Sequence, residues 1–265
     1  MPTVKVNDIS MYYEVHGEGE PLVLINGAGA SIEMLYRLIP IYSRDYRLVL
    51  FDNRGVGRTD KPDVPYTTQL MADDLAGLLD AIGIDSAHVH GTSMGGMIAQ
   101  EFALRYPDIV RSLILAVTHC GGPHSIVPPS GDMAQMYKLP PKAAAEAMLR
   151  LCVTEEFIAE RPDSFQRLLA FTIEHPFVQS SLQKHAQAVA RHSTCDRLPE
   201  ITAPTLILAG DADRVVPVDN SRILETRIPN AERIIFKNAG HMLVEAGDEP
   251  HRVTIEFLKR HRIEN

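Results

Sequence analysis

Short apolar runs separated by longer segments of helical period dominate the first half of the chain. Runs at Met11 to Val15, Pro21 to Ile25, Arg47 to Phe51, Ala87 to His90 and Ser112 to Val117 read as strands; the pattern resumes at Thr205 to Gly210 and Glu232 to Phe236. Helical spacing fills the intervals at Ser31 to Ile41, Thr67 to Ile82, Met94 to Tyr106, Val218 to Ile228 and about Glu249 to Arg260. Nearly continuous apolar strands alternating with helices predict an α/β fold, a mostly parallel central sheet with helices on both faces. Between Cys120 and Pro199 the alternation stops. The stretches "PPKAAAEAMLRLCV" and "SLQKHAQAVARHS" have helical period only, so a helical lid is expected at 121–199, inserted into a core formed by 1–120 and 200–265.

Composition narrows the partners. A chain of 265 residues that is 45% hydrophobic can bury a large core. The formal charge of -8 gives no electrostatic footprint for nucleic acid or anionic lipid. No apolar run approaches a membrane span and the first residues lack a leader pattern, which leads to the expectation of a cytoplasmic protein without membrane partners. Cys120, Cys152 and Cys195 show neither paired nor metal-type spacing, and their odd number predicts reduced thiols.

The candidate chemistry starts at Gly91-Thr92-Ser93-Met94-Gly95, between a strand and a helix. Glycines two positions either side of Ser93 make room for a sharp turn that exposes the hydroxyl, and the following helix directs free amides toward an anion. A serine hydroxyl is a weak nucleophile until a base takes its proton, so a histidine oriented by a carboxylate is required. Both follow in order. "LILAGDADRVVP" places Asp211 and Asp213 after one strand, and "FKNAGHMLVEAGDEP" places His241 after the next. Loops at the carboxyl ends of parallel strands are where such sheets gather their sites. His88 and His90 point into sheet packing, and His175, His185 and His192 lie in the lid without a carboxylate in a comparable motif.

With these motifs the chain resembles the α/β-hydrolase superfamily, and within it small serine carboxylesterases and 3-oxoadipate enol-lactonase-like hydrolases, over nearly its whole length. The resemblance implies Ser93 as nucleophile, His241 as base and Asp213 as orienting acid, since Gly210, Asp213 and Pro217 match the family's G-x-x-D-x-x-x-P frame; Asp211 is the fallback. Some relatives carry the acid before the lid, but Ala116-Val117-Thr118-His119-Cys120 has no carboxylate there. The oxyanion donors implied are the backbone amides of Met94, after the nucleophile, and Ala28 in the loop "NGAG", where many relatives begin with His-Gly rather than Asn26-Gly27. In "FDNRGVGRTD" an Asp52–Arg54 ion pair is expected to brace a structural loop.

Two-step acyl transfer on a small-molecule ester or lactone follows, with no cofactor and no metal. Gly27, Met133, Met136 and Met148 are candidate substrate contacts, and His119 and Cys120 lie at the pocket mouth or pack the start of the lid. The resemblance together with Arg150, Arg161 and Arg191 keeps a lactone such as an enol-lactone open, and none of the three arginines is assigned to a substrate carboxylate from sequence. Carbon–carbon bond hydrolases and cofactor-free perhydrolases share the serine arrangement; dehalogenases and epoxide hydrolases, which use aspartate where Ser93 stands, do not. A non-catalytic receptor on the same fold is the alternative of another class.

Overall fold

The computed structural model describes residues 2–126, 139–176 and 179–262. Its eight strands are β1 (Thr3–Val6), β2 (Ile9–His16), β3 (Glu20–Ile25), β4 (Tyr46–Phe51), β5 (Ala87–Thr92), β6 (Val110–Ala116), β7 (Thr205–Gly210) and β8 (Ala231–Phe236). They form one sheet in the order β1-β2-β4-β3-β5-β6-β7-β8. From β4 to β8 every pairing is parallel; β2 joins antiparallel to β4, and β1 to β2. The expected strands are all present. β1 was not expected, being only four residues long, and it turns into β2 through Asn7, whose φ of 51° suits asparagine.

Successive strand residues feed opposite faces. Val23, Ile25, Val49, Phe51, Val89, Leu113 and Leu115 pack against α2 (Thr68–Ala81) and α3 (Met94–Arg105). Leu22, Leu24, Leu48, Leu50, Ile114 and Leu206 pack against a segment at 32–42 and the last helix. That segment was expected as one helix; it is a 3₁₀ stretch, Ile32–Leu38, running into the single turn α1 (Ile39–Tyr42) with Pro40 in its first turn. Between β6 and β7 lie four described helices, α4 (Pro141–Cys152), α5 (Glu155–Glu160), α6 (Pro162–Glu174) and α7 (Gln179–Arg191). α8 (Asp219–Arg227) and α9 (Glu249–Arg260) follow β7 and complete the two faces. No described helix is long and apolar enough to cross a membrane.

Two expectations are corrected. Cys120 and Cys195 form a disulfide across 75 residues, with Cα atoms 4.9 Å apart, and only Cys152 remains free. Sequence spacing is blind to this pair because the fold brings both ends of the inserted helices together. Gly121 bridges to Ser193, and the amides of Thr194 and Gly122 donate to the carbonyls of Cys120 and His192. Arg54 does not pair with Asp52. Its buried guanidinium binds Asp74 at 2.7 and 2.8 Å and Asp8 at 2.8 Å, while Asp52 accepts from the amides of Ile32 and Arg58.

Buried histidines make the fold sensitive to acid. Burial pushes His90 and His192 down to about 3 and His119 to about 4, and neither ring nitrogen of His90 has a hydrogen-bond partner among the described residues. Each is neutral in the folded protein and protonates near its ordinary value when unfolded, so the unfolded state binds more protons as pH falls below about 6.5. Their contribution is complete above that pH and declines below it. Urea unfolding is expected to show stability falling from pH 7 to 5, each such histidine adding up to about 1.4 kcal/mol per pH unit. His90→Leu should remove one proton's share of that slope without lowering stability at pH 8. A curve flat from pH 7 to 5 would contradict this account.

Candidate active site

Ser93 sits between β5 and α3 with φ 56° and ψ −121°, a conformation that L residues adopt only when their surroundings enforce it. Both of its backbone groups are held. Its amide donates to the Ala116 carbonyl at 2.9 Å, and its carbonyl accepts from the Thr118 hydroxyl at 2.7 Å. The flanking glycines are required sterically: a Cβ on Gly91 would overlap the Gly95 carbonyl, and one on Gly95 would overlap the Ile25 carbonyl. Gly27 lies beside the serine, where an added Cβ would come within 3.4 Å of Ser93 Cβ.

The loops after β7 and β8 bring the carboxylate and the imidazole to that hydroxyl. His241 Nε2 is 3.0 Å from Ser93 Oγ, and its Nδ1 is 2.7 Å from Asp213 Oδ2. The Asp213 side chain is 1% exposed and that of His241 11%. Asp213 Oδ1 accepts from the amides of Val215 and Val216, both at 2.8 Å, so the carboxylate is fixed on one side and addresses the imidazole with the other. Asp211 has a different task. Its Oδ1 accepts from the Asn238 amide at 2.7 Å and braces the turn that leads to His241. The Met242 amide donates to the Cys152 carbonyl, which secures the His241 loop to the end of α4.

The amides of Met94, first residue of α3, and Ala28 have no protein acceptor among the described residues. The loop that holds Ala28 is well tied: Asn26 donates through Nδ2 to the Ser31 carbonyl at 2.7 Å, and the Gly29 amide donates to His185 Nδ1 at 2.9 Å. His119 is buried next to this centre; besides burial, the nearby His241 lowers its proton affinity. Its Nδ1 accepts from the Gly121 amide.

A cavity of about 440 Å³ lies where the inserted helices meet the core. Met242 and Val244 of the His241 loop, Met34, Phe157, Leu168 and Phe171 supply apolar walls, and Arg37, Arg161 and Arg167 are polar members. None of these three arginines has a carboxylate partner among the described residues, and Glu33, which also lines the cavity, is engaged by Arg58 at 2.8 Å. Met148 on α4 is half-buried and does not line the cavity; Met133 and Met136 lie outside the described residues. Arg150 pairs with Glu146. Sequence reasoning missed Arg37, Arg167, Thr118 and His185. For His185 a signal existed, since Ser181, His185 and Ala188 recur at helical spacing on the buried face of α7.

A family profile described as alpha/beta hydrolase fold matches residues 20–145 and 173–248. The chain belongs to this family. This alpha/beta hydrolase is 34% identical over 269 residues to a 2-hydroxy-6-oxononadienedioate/2-hydroxy-6-oxononatrienedioate hydrolase of Dechloromonas aromatica, across 95% of the chain and 91% of the relative. The meta-cleavage product hydrolase of Pseudomonas fluorescens IP01 superposes with a TM-score of 0.84 at 26% identity, covering 99% of this chain and 98% of that one. Est816, an N-acyl homoserine lactone degrading enzyme, gives 0.82 at 29% identity over 97% of this chain and 100% of its own. Membership makes the chain a hydrolase, and its similarity extends to relatives acting on different compounds.

The two neighbouring aspartates hold different partners. Asp213→Asn is expected to lower turnover by about a thousandfold or more, because the imidazole loses the acceptor that fixes its tautomer. Asp211→Asn should change turnover by less than about threefold, since an amide oxygen still accepts from Asn238 and surface hydrogen bonds contribute only about 1 kcal/mol. Steady-state rates of both variants, compared with their urea midpoints, check the assignment; equal losses would refute it.

Proposed function

We propose that the chain is a serine hydrolase of carboxylic esters or lactones that works through a covalent acyl-enzyme. The observation that carries this reading is the continuous hydrogen-bonded line from Asp213 through His241 to Ser93 Oγ, with contacts of 2.7 and 3.0 Å. In this reading His241 Nε2 takes the hydroxyl proton as Ser93 Oγ attacks the acyl carbon, and the Ala28 and Met94 amides hold the tetrahedral oxyanion. The imidazolium then protonates the departing alkoxide, and the acyl group stays on Ser93. Water, deprotonated by His241, attacks the ester carbon; collapse of the second tetrahedral intermediate releases the acid and returns the proton to Ser93. Asp213 keeps Nδ1 protonated and stabilises the transient imidazolium.

The cavity bears on the substrate class. The cavity adjoins the site through Met242, next to His241, and Ser93 itself does not line it; its apolar walls and three exposed guanidinium groups, without carboxylate partners among the described residues, support an apolar ester or lactone that also carries a carboxylate, which arginine recognises with paired donors. The same feature favours a second reading, carbon–carbon bond hydrolysis of a dicarboxylate, because the Dechloromonas aromatica relative is named for dioate substrates. Ser93 and His241 are required in both.

With p-nitrophenyl acetate and butyrate the protein is expected to show a burst followed by steady release of p-nitrophenol. Ser93→Ala and His241→Ala should each reduce turnover by about a thousandfold or more. A folded wild-type protein without Ser93-dependent turnover on esters, but active on a dicarboxylate diketone, would favour the second reading. Arg161→Gln should raise KM for a carboxylate-bearing ester by about tenfold, the size of one charged hydrogen bond, and leave p-nitrophenyl butyrate unaffected. Equal KM changes for the two esters would remove the guanidinium groups from substrate recognition.

A further inference from the structure

His185 is fully buried on α7, far in sequence from both groups it binds. The Gly29 amide donates to its Nδ1 at 2.9 Å, and its Nε2 is 2.9 Å from the Arg54 carbonyl. An amide can only donate and a carbonyl can only accept, so these two contacts select one form of the ring: bare Nδ1, protonated Nε2, no net charge. Burial favours that neutral form as well. The ring packs at a tilt on Tyr66, 5.7 Å between centroids, and the adjacent Lys184 donates to the Pro62 carbonyl and Asp63. Arg54, whose carbonyl receives the ring, is itself anchored by Asp74 and Asp8.

Gly29 has φ 73° and follows Ala28 directly. Holding its amide fixes the peptide plane between Ala28 and Gly29, and thereby limits the rotation of the preceding plane, which carries the Ala28 amide. We infer that His185 is a positioning residue: it aims the Ala28 donor at the oxyanion and makes that aim depend on the seating of α7 against the core. The inference rests on the proposed acyl transfer, in which Ala28 serves the oxyanion. No acid or base role belongs to His185, because both of its nitrogens are committed to backbone groups.

Two amide substitutions divide the ring's contacts. In His185→Asn the side-chain oxygen replaces Nδ1 and still accepts from Gly29; in His185→Gln the side-chain nitrogen replaces Nε2 and still donates to Arg54, leaving the Gly29 amide unheld. Losing one oxyanion donor outright costs a factor of about 10² to 10³ in kcat. A misaimed donor should cost less, so His185→Gln is expected to lower kcat for p-nitrophenyl butyrate by about 10- to 100-fold with little change in KM, while His185→Asn stays within about threefold of wild type. Hydrogen exchange at the Gly29 amide should be faster in the Gln variant than in the Asn variant. Equal kcat values in the two variants, with wild-type turnover abolished by Ser93→Ala, would overturn the positioning role and leave the hydrolytic reading intact. Wild-type turnover indifferent to Ser93→Ala would overturn that reading, and with it the oxyanion role of the tie; Gly29 exchange would still report whether the tie exists. Should neither variant fold, the 15N spectrum of the wild-type ring decides: the Nε2-protonated tautomer supports the inference, and the Nδ1-protonated one refutes it.

Discussion

The site depends on a backbone conformation that an isolated chain would avoid. Ser93 occupies a region that costs roughly 1–3 kcal/mol for a residue with a side chain. It persists because close approaches at Gly91 and Gly95 leave the strand and helix no other way to join, and because Ala116 and Thr118 hold both backbone groups of the serine. Thr118 reaches it from just beyond β6, where Val117 also has a positive φ, 47°, unusual for a β-branched residue. Two adjacent strands thus end in strained turns that support each other. The imidazole and its carboxylate add only side chains to a hydroxyl whose position the sheet has already fixed.

The remaining parts of the site come from separate loops at the carboxyl ends of the parallel strands, and each loop is braced by an interaction outside the Ser93, His241 and Asp213 side chains. Asp211 holds the turn before His241, the Val215 and Val216 amides orient Asp213, and Asp52 secures the chain at Ile32 on the far side of the Ala28 loop. For the proposed acyl transfer this preorganisation matters, because donors already aligned on a developing charge need no reorganisation during a reaction. The buried Arg54–Asp74 pair, joined at the surface by Asp8, belongs to the same support, since it fixes the loop whose carbonyl receives His185.

Core strands and the Ser93, Asp213 and His241 positions were legible in the sequence because each depends on local pattern: apolar runs, paired glycines, an acid and a histidine following successive strands. What escaped depends on contacts between distant segments. Asp52 and Arg54 are two residues apart and of opposite charge, yet in the tight turn their side chains reach different elements. The Cys120–Cys195 pair is invisible to spacing rules for the same reason. His185 was partly readable from its place on the buried face of α7, but its partners, a glycine amide and an arginine carbonyl, leave no mark in side-chain identity.

The disulfide at the ends of the inserted helices gives the chain a neck. Cys120 and Cys195, reinforced by the Gly121–Ser193 bridge, hold the points where the insertion leaves and re-enters the core, so the loop of chain between them closes on itself. Changes of length or composition inside that loop need not propagate into the register of β6 and β7. The cavity wall formed by Phe157, Leu168 and Phe171 sits beyond the neck, whereas Ser93, Asp213 and His241 sit below it. Such a chain can vary the inserted part of the cavity wall while the sheet keeps its hold on the Ser93, Asp213 and His241 arrangement.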